Sequence, residues 1–291
     1  MKIKFCSLKT YSNREELYKD FGFSKQRIKK YLNAKQRQYC VREKDELEAD
    51  INLMNHLRIS PEYTGNECIV LEENENFLIL HKAQKIHSHP LSYNESNNVL
   101  SFLRKNHYKV LNVNNHKYDR GLLYRLDFET SGLLIICKDN YLYEDLRSHY
   151  NKVAKVKEYL ALVNGHVTDQ SIYDYLDTSK KVVTIKDEGQ EGNIDIKNLK
   201  FFEDLNISLI KVRLHEGLRH QIRVLLQTIK FPILGDIDYR GQEASRLFLH
   251  CYKIGIDGYG TYESKELSCF SEKLNLSIEE LIKLTDSYSF S

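Results

Sequence analysis

The residues alone predict a folded domain of alternating β-strands and α-helices, and three observations carry that expectation. Short runs of branched and apolar side chains, such as Cys68-Ile69-Val70-Leu71 and Phe77-Leu78-Ile79-Leu80, are bounded by polar clusters in the manner of strands. Other segments, residues 98–106 among them, repeat their apolar positions at helical spacing. The chain is also long enough to bury an extensive core, with 291 residues of which 41% are hydrophobic and 29% charged.

Taken in order, residues 1 to about 60 are highly charged and read as helices, an appendage to the remainder of the chain. Ser24 is placed to cap a helix over residues 25–32, whose apolar positions are Ile28, Tyr31 and Leu32. Residues 25–37 carry Lys25, Arg27, Lys29, Lys30, Lys35 and Arg37 with no acid, whereas residues 43–50 are strongly acidic. Taken alone, such a run is a solvated helix face. From Glu67 the texture changes: residues 68–71 and 77–80 flank the polar residues 72–76 and read as a hairpin. Val99, Leu100, Phe102 and Leu103 give a helix that packs on a sheet. Further strands are expected at residues 133–138, 157–163, 199–202 and 208–214, and a helix at 220–230. Residues 189–192 read as a surface loop, and residues 277–284 as a helix in an uninformative tail. No internal repeat and no phosphate-cradling glycine motif is present.

The net charge of +2 argues neither for nor against nucleic acid, because affinity depends on where the cations sit. No apolar run approaches the roughly 20 residues needed to span a bilayer, so no membrane role is expected. Met1-Lys2-Ile3-Lys4-Phe5-Cys6 lacks a secretory pattern, and the expected location is the cytoplasm. The six cysteines form no C-x-x-C pair, which predicts free thiols rather than a zinc or redox site; Cys137 and Cys251 fall in strand-like runs as core residues.

The chemistry is concentrated in Tyr124-Arg125-Leu126-Asp127-Phe128-Glu129-Thr130-Ser131-Gly132, which puts a carboxylate between a cation and a turn ahead of an apolar strand. An aspartate before Thr, Ser and Gly most often serves the turn, through bonds to nearby backbone amides. Here more motifs occur in order: Lys157-Glu158-Tyr159-Leu160-Ala161-Leu162-Val163, Arg219-His220-Gln221-Ile222-Arg223-Val224, Pro232-Ile233-Leu234-Gly235-Asp236 with Tyr239, and Arg246-Leu247-Phe248-Leu249-His250. Over about residues 67 to 256 this series resembles the RluA family of pseudouridine synthases, RNA-modifying enzymes whose catalytic aspartate lies in an RLD-x-x-TSG motif. Single short motifs mislead, but ordered combinations rarely do.

The resemblance implies an α+β pseudouridine synthase fold: a mixed, mainly antiparallel sheet with flanking helices and a central catalytic cleft. Residues 1–60 would be a reduced or divergent alpha-L type RNA-binding appendage, 67–256 the catalytic domain, and 257–291 a tail packed on it. The implied reaction breaks the glycosidic bond of a uridine, turns the uracil and rejoins it through carbon, without cofactor or metal. Asp127 would attack the anomeric carbon or assist elimination to a glycal. Tyr159 matches the tyrosine that stacks on the target base and takes part in proton transfer, and Arg223 the salt-bridge partner of the aspartate. Arg125 matches the arginine that helps flip the nucleotide. Arg219, His220 and Gln221 would organise the site and contact RNA, with Lys25, Arg27, Lys29 and Lys30 on phosphates. The implied partner is ribosomal or transfer RNA, met by a monomer. The family's usual histidine before the RLD arginine is Tyr124 here, its histidine after R-V is Leu225, and Ala83 and Lys85 depart from its N-K-P-x-G segment. Two rival readings are a catalytically silent RNA-binding protein of the same fold, and a glycosidase-like hydrolase pairing Asp127 with Glu129, which would face one side of a strand.

Overall fold

The structure, a computed structural model, describes residues 2–21, 23, 25–50, 53, 59–91, 95–115, 117–288 and 290. The cap expected at Ser24 lies outside the described residues.

The N-terminal body is not all helical. Strands β1 (Lys2–Cys6) and β2 (Glu46–Asp50) pair antiparallel and frame helices α1 (Arg14–Asp20), α2 (Lys25–Tyr31) and α3 (Ala34–Arg37). Lys2-Ile3-Lys4-Phe5 and Glu46-Leu47-Glu48-Ala49 alternate charged and apolar residues with the period of a half-buried strand; their charge masked the period. Tyr18, Phe23, Ile28, Leu32, Ala49 and Leu53 form a small core of this body's own. Ile59 already belongs to the main core, and Arg104 donates to its carbonyl, so the appendage ends before residue 59 rather than at 60.

The main body is built on ten strands: β3 (Cys68–Glu73), β4 (Phe77–Lys82), β5 (Ser131–Cys137), β6 (Val156–Asn164), β7 (Gln170–Asp177), β8 (Thr184–Lys186), β9 (Gln190–Phe202), β10 (Ile207–Leu214), β11 (Leu249–Ile256) and β12 (Gly260–Glu263). They run in the order β3-β4-β5-β11-β6-β10-β9-β7-β8, with β12 on β11. Among the described strands only β5 and β11 pair in parallel, so the sheet is mixed and mainly antiparallel, as expected. β4 and β5 are buried along their whole length, which is why they read as continuous apolar runs rather than alternating ones. Residues 189–192, read as a loop, instead lead into β9. A Cβ at Gly192 would stand 2.7 Å from Leu176 Cδ1, so a larger residue there would make that side chain shift.

Helices α4 (Val99–Asn106), α5 (Asn140–Ser148), α6 (Tyr150–Val153) and α7 (Gln221–Thr228) accompany the sheet. Asn98 caps α4 by accepting from the Ser101 amide. The tail adds α8 (Ser268–Leu274) and α9 (Ile278–Asp286), whose Phe270, Leu274 and Leu281 enter the main core. The buried Lys211 ammonium donates to the carbonyls of Thr285 and Tyr288 at 2.5 and 2.6 Å, tying the end of α9 to the sheet.

Candidate active site

Asp127 stands in the loop immediately before β5. Its backbone carbonyl accepts from the Thr130 amide, closing a turn over residues 127–130. The neighbouring Leu126 is fixed by Ser88, whose hydroxyl donates to the Leu126 carbonyl and accepts from its amide at 3.1 and 3.2 Å. Gly132 then lets β5 approach β11: it has φ +123°, and a Cβ there would run into the Cys251 backbone. The backbone does the fixing. The Asp127 carboxylate makes no hydrogen bond to it among the described residues and is 31% exposed, so the side chain is not a turn cap.

Beneath this turn lies Lys82, wholly buried at the end of β4. Its ammonium donates to the carbonyls of Ala83, Ile86 and Phe128 at 2.9, 3.0 and 3.4 Å, spending all three N–H bonds on joining the loop after β4 to the Asp127 turn. Burial pushes its pKa down to about 7. The motifs assign Lys82 no role; the signal for one is a lysine at the end of an otherwise apolar central strand.

Behind the turn runs a buried polar chain. Arg246 Nη2 donates to Ser131 Oγ at 2.7 Å, and Ser131 Oγ lies 2.9 Å from His250 Nδ1. His250 Nε2 is 2.8 Å from the Ser264 carbonyl, which only accepts, so that nitrogen carries the proton and Nδ1 accepts from Ser131. Ser264 Oγ continues to His81 Nδ1 at 2.9 Å. Burial lowers the pKa of His81 to about 4 and of His250 to about 3, so both rings are neutral.

The arginine expected to pair with Asp127 does not. Arg223 is turned to Asp236 in a forked pair, Nε to Oδ2 at 2.8 Å and Nη2 to Oδ1 at 2.7 Å, with Asp238 at 3.4 Å. Asp236 is entirely buried and Arg223 nearly so. Burial opposes the guanidinium charge, but the bonds and attraction of Asp236 outweigh it and raise the pKa. Asp127 is within electrostatic reach but not bonded to it. The reason is local: the turn following Gly235 delivers Asp236 directly to the first turn of α7.

The nearest ionisable partner of Asp127 is His220, whose Nε2 is 3.8 Å from Oδ2. His220 occupies the N-cap of α7 in the left-handed conformation, φ 55°, an uncommon backbone for a non-glycine residue. Its Nδ1 is 2.9 Å from the Tyr239 hydroxyl, which itself accepts from the Val183 amide. A hydroxyl that accepts there can donate to Nδ1, which leaves Nε2 as the protonated ring nitrogen. Burial keeps the His220 pKa below its usual value. Arg223 also lies 5.0 Å over the Tyr239 ring. Asp236, Arg223, Tyr239 and His220 thus form one chain of contacts ending at Asp127.

Tyr159, in β6, is the cross-strand register partner of Cys251 in β11. Burial raises its pKa well above the phenolic value, which keeps the hydroxyl a donor, and Asp127 is close enough to add to the shift. Arg125 is about half exposed, 5.7 Å from the Tyr118 ring centre and 4.0 Å from Asp119. Gln221 corrects another expectation: it is buried, accepting from the Gly217 and Leu218 amides and donating to Asn193 O and Glu216 Oε2, which leaves nothing for RNA. Arg219 is exposed and donates to the Thr178 carbonyl at 3.0 Å. On α2, Lys25, Lys29 and Lys30 are exposed, while Arg27 packs 5.3 Å from the Tyr31 ring and reaches the Leu91 carbonyl at 3.4 Å. Asp127 and Glu129 share a turn rather than a strand, so the one-sided pairing a hydrolase reading needed is absent. Among the described residues no cluster of His, Cys, Asp and Glu could hold a metal, no helix is long and apolar enough to cross a membrane, and all six cysteines are free.

Fold and site together define a class, and comparison with known proteins gives it a name. Residues 76–228 match the RNA pseudouridylate synthase family. The chain is 32% identical over 238 residues to ribosomal large subunit pseudouridine synthase D of Borreliella burgdorferi, covering 73% of this chain and 72% of that protein. It is 33% identical over 197 residues to an uncharacterized RNA pseudouridine synthase of Helicobacter pylori strain J99, covering 65% and 72%. Among solved structures, human RNA pseudouridylate synthase domain containing 1 shares the fold with a TM-score of 0.54 at 16% identity, covering 74% of this chain and 98% of that one. The chain belongs to the RNA pseudouridylate synthase family. The resemblance to the RluA family read from the motifs agrees with these matches.

Proposed function

We propose that this chain is a pseudouridine synthase of the RluA type that modifies uridines in ribosomal RNA, with Asp127 as the catalytic carboxylate. The observation that carries the reading is the contrast at Asp127. Its backbone is held by the 127–130 turn, by Ser88 and by Lys82, while its carboxylate is spared every structural bond among the described residues. A group held this way is preorganised for a reacting centre rather than for stability.

In the proposed reaction Asp127 acts at the anomeric carbon while the uracil departs, or draws a proton from the ribose to give a glycal; the uracil turns and rejoins through its fifth carbon. Tyr159, kept protonated, supplies a flat ring for the base and an O–H beside it. Arg125 takes the space of the flipped nucleotide. His220, 3.8 Å away and not bonded to it, is the neighbouring polar ring of the carboxylate, and Arg223 acts through Asp236 and Tyr239. Ribosomal RNA is favoured by the similarity to a protein named for the large ribosomal subunit. The protein would work as a cytoplasmic monomer, its N-terminal body adding affinity through α2.

Mapping pseudouridines in total RNA from cells with and without the gene tests this, together with incubation of the purified protein with the unmodified transcript. Loss of a pseudouridine from large-subunit ribosomal RNA, restored in vitro, is the expected result. A loss confined to transfer RNA would move the target, and unchanged maps with no product in vitro would end the reading.

A further inference from the structure

The turn between β7 and β8 carries Lys180 and Lys181, exposed cations with no ion pair among the described residues. Facing them are Arg219, from the loop before α7, and Gln26, from α2 of the N-terminal body, and together they enclose a cleft of about 500 Å³. Thr178 and Gln190 complete its wall and bond to each other at 2.7 Å. The lining holds three cations and no carboxylate. The adjacent acid, Asp177, is already engaged by Lys186 at 2.6 Å and by the Ser179 hydroxyl and amide. One N–H of Arg219 is committed to the Thr178 carbonyl, which fixes the guanidinium against the turn and leaves its other donors for a ligand.

Position gives the cleft its meaning. Arg219 directly precedes His220, whose Nε2 is 3.8 Å from Asp127 Oδ2, so one short chain segment joins the cleft to the candidate catalytic carboxylate. The same α2 that supplies Gln26 also touches the main body through Arg27, which donates to the Leu91 carbonyl at 3.4 Å. We propose that this cleft is a phosphodiester site for the RNA strand flanking the target uridine, formed jointly by the β7–β8 turn, Arg219 and the N-terminal body. The proposal rests on the reading of the chain as an RNA-modifying enzyme. It assigns the N-terminal body a place in the substrate path rather than a remote anchor. A phosphate there replaces no protein contact, because the lining cations have no acid to give up.

Full-length Lys180→Gln/Lys181→Gln and Gln26→Glu, each checked for an unchanged melting temperature, are titrated against a fluorescein-labelled oligouridylate at several salt concentrations. For the lysine pair the dissociation constant should rise about tenfold and the log-log salt slope become shallower by about 0.7, one phosphate on a single strand. Gln26→Glu should weaken binding to a similar degree by placing a carboxylate in the cleft. Unchanged affinity and slope in the lysine pair overturn the phosphate site. Full affinity in Gln26→Glu overturns its joint construction. A wild-type protein that forms no pseudouridine, yet shows these binding changes, refutes the enzymatic reading and leaves the cleft standing.

Discussion

Among single residues, the Arg223–Asp236 pair carries a consequence that a direct Arg223–Asp127 bridge would not. If Arg223 acts by orienting His220 through Asp236 and Tyr239, then Asp236→Asn and Arg223→Lys should be alike, each lowering single-turnover rates by about a hundredfold through misplacement. A direct bridge predicts that Asp236→Asn is nearly silent in the rate. Removing one partner outright, as in Arg223→Ala, strands a buried carboxylate and should cost about 3–5 kcal/mol of stability, seen as a lower urea midpoint. Lys82→Met should show the converse balance. The lost bonds to three carbonyls are offset by relief of a buried charge, so the melting temperature should move only a few degrees while turnover falls at least about tenfold. Asp127, Tyr159 and Arg223 are candidates legible from motifs because their neighbours in sequence are distinctive. Which carboxylate Arg223 meets is not, since Asp236 and Asp127 lie on opposite sides of it in the chain and only folding chooses between them.

Among the elements, β4, β5 and β11 are tied together by the chain from His81 through Ser264, His250 and Ser131 to Arg246. Both histidines have folded pKa values below the unfolded value near 6.5. Below about pH 6.5 the unfolded chain therefore takes up protons that the folded chain refuses, and stability falls as the pH drops toward 4. The slope approaches about 1.4 kcal/mol per pH unit for each histidine. Urea unfolding between pH 7 and 4 should show this loss, and His81→Asn should lessen it; an equal slope in that variant would contradict the buried neutral assignment. Central strands of this sheet were legible as apolar runs because both faces are covered. β1 and β2 were hidden by the charge on their outer face, and the start of β9 by Gly189 and Gly192, a glycine spacing that reads as a loop.

In the molecule as a whole, two bodies with separate cores meet beside the site, through Gln26 at the β7–β8 turn and Arg27 at Leu91. Removing residues 1–58, which spares Ile59, should leave a folded main body that binds RNA less tightly and with a shallower salt slope, by about 0.7 for each phosphate no longer held. Turnover at saturating RNA should change far less. That separation of grip from chemistry comes to its sharpest form in Asp127→Asn, which keeps the shape and all surfaces that meet RNA but removes the carboxylate charge. Its side chain carries no structural bond, so stability should shift by less than about 0.5 kcal/mol. The decisive measurement is single-turnover pseudouridine formation by Asp127→Asn beside wild type, on one RNA at matched occupancy. Wild-type affinity with a rate at least about a thousandfold lower is expected; near-normal conversion by the variant would remove Asp127 from the chemistry.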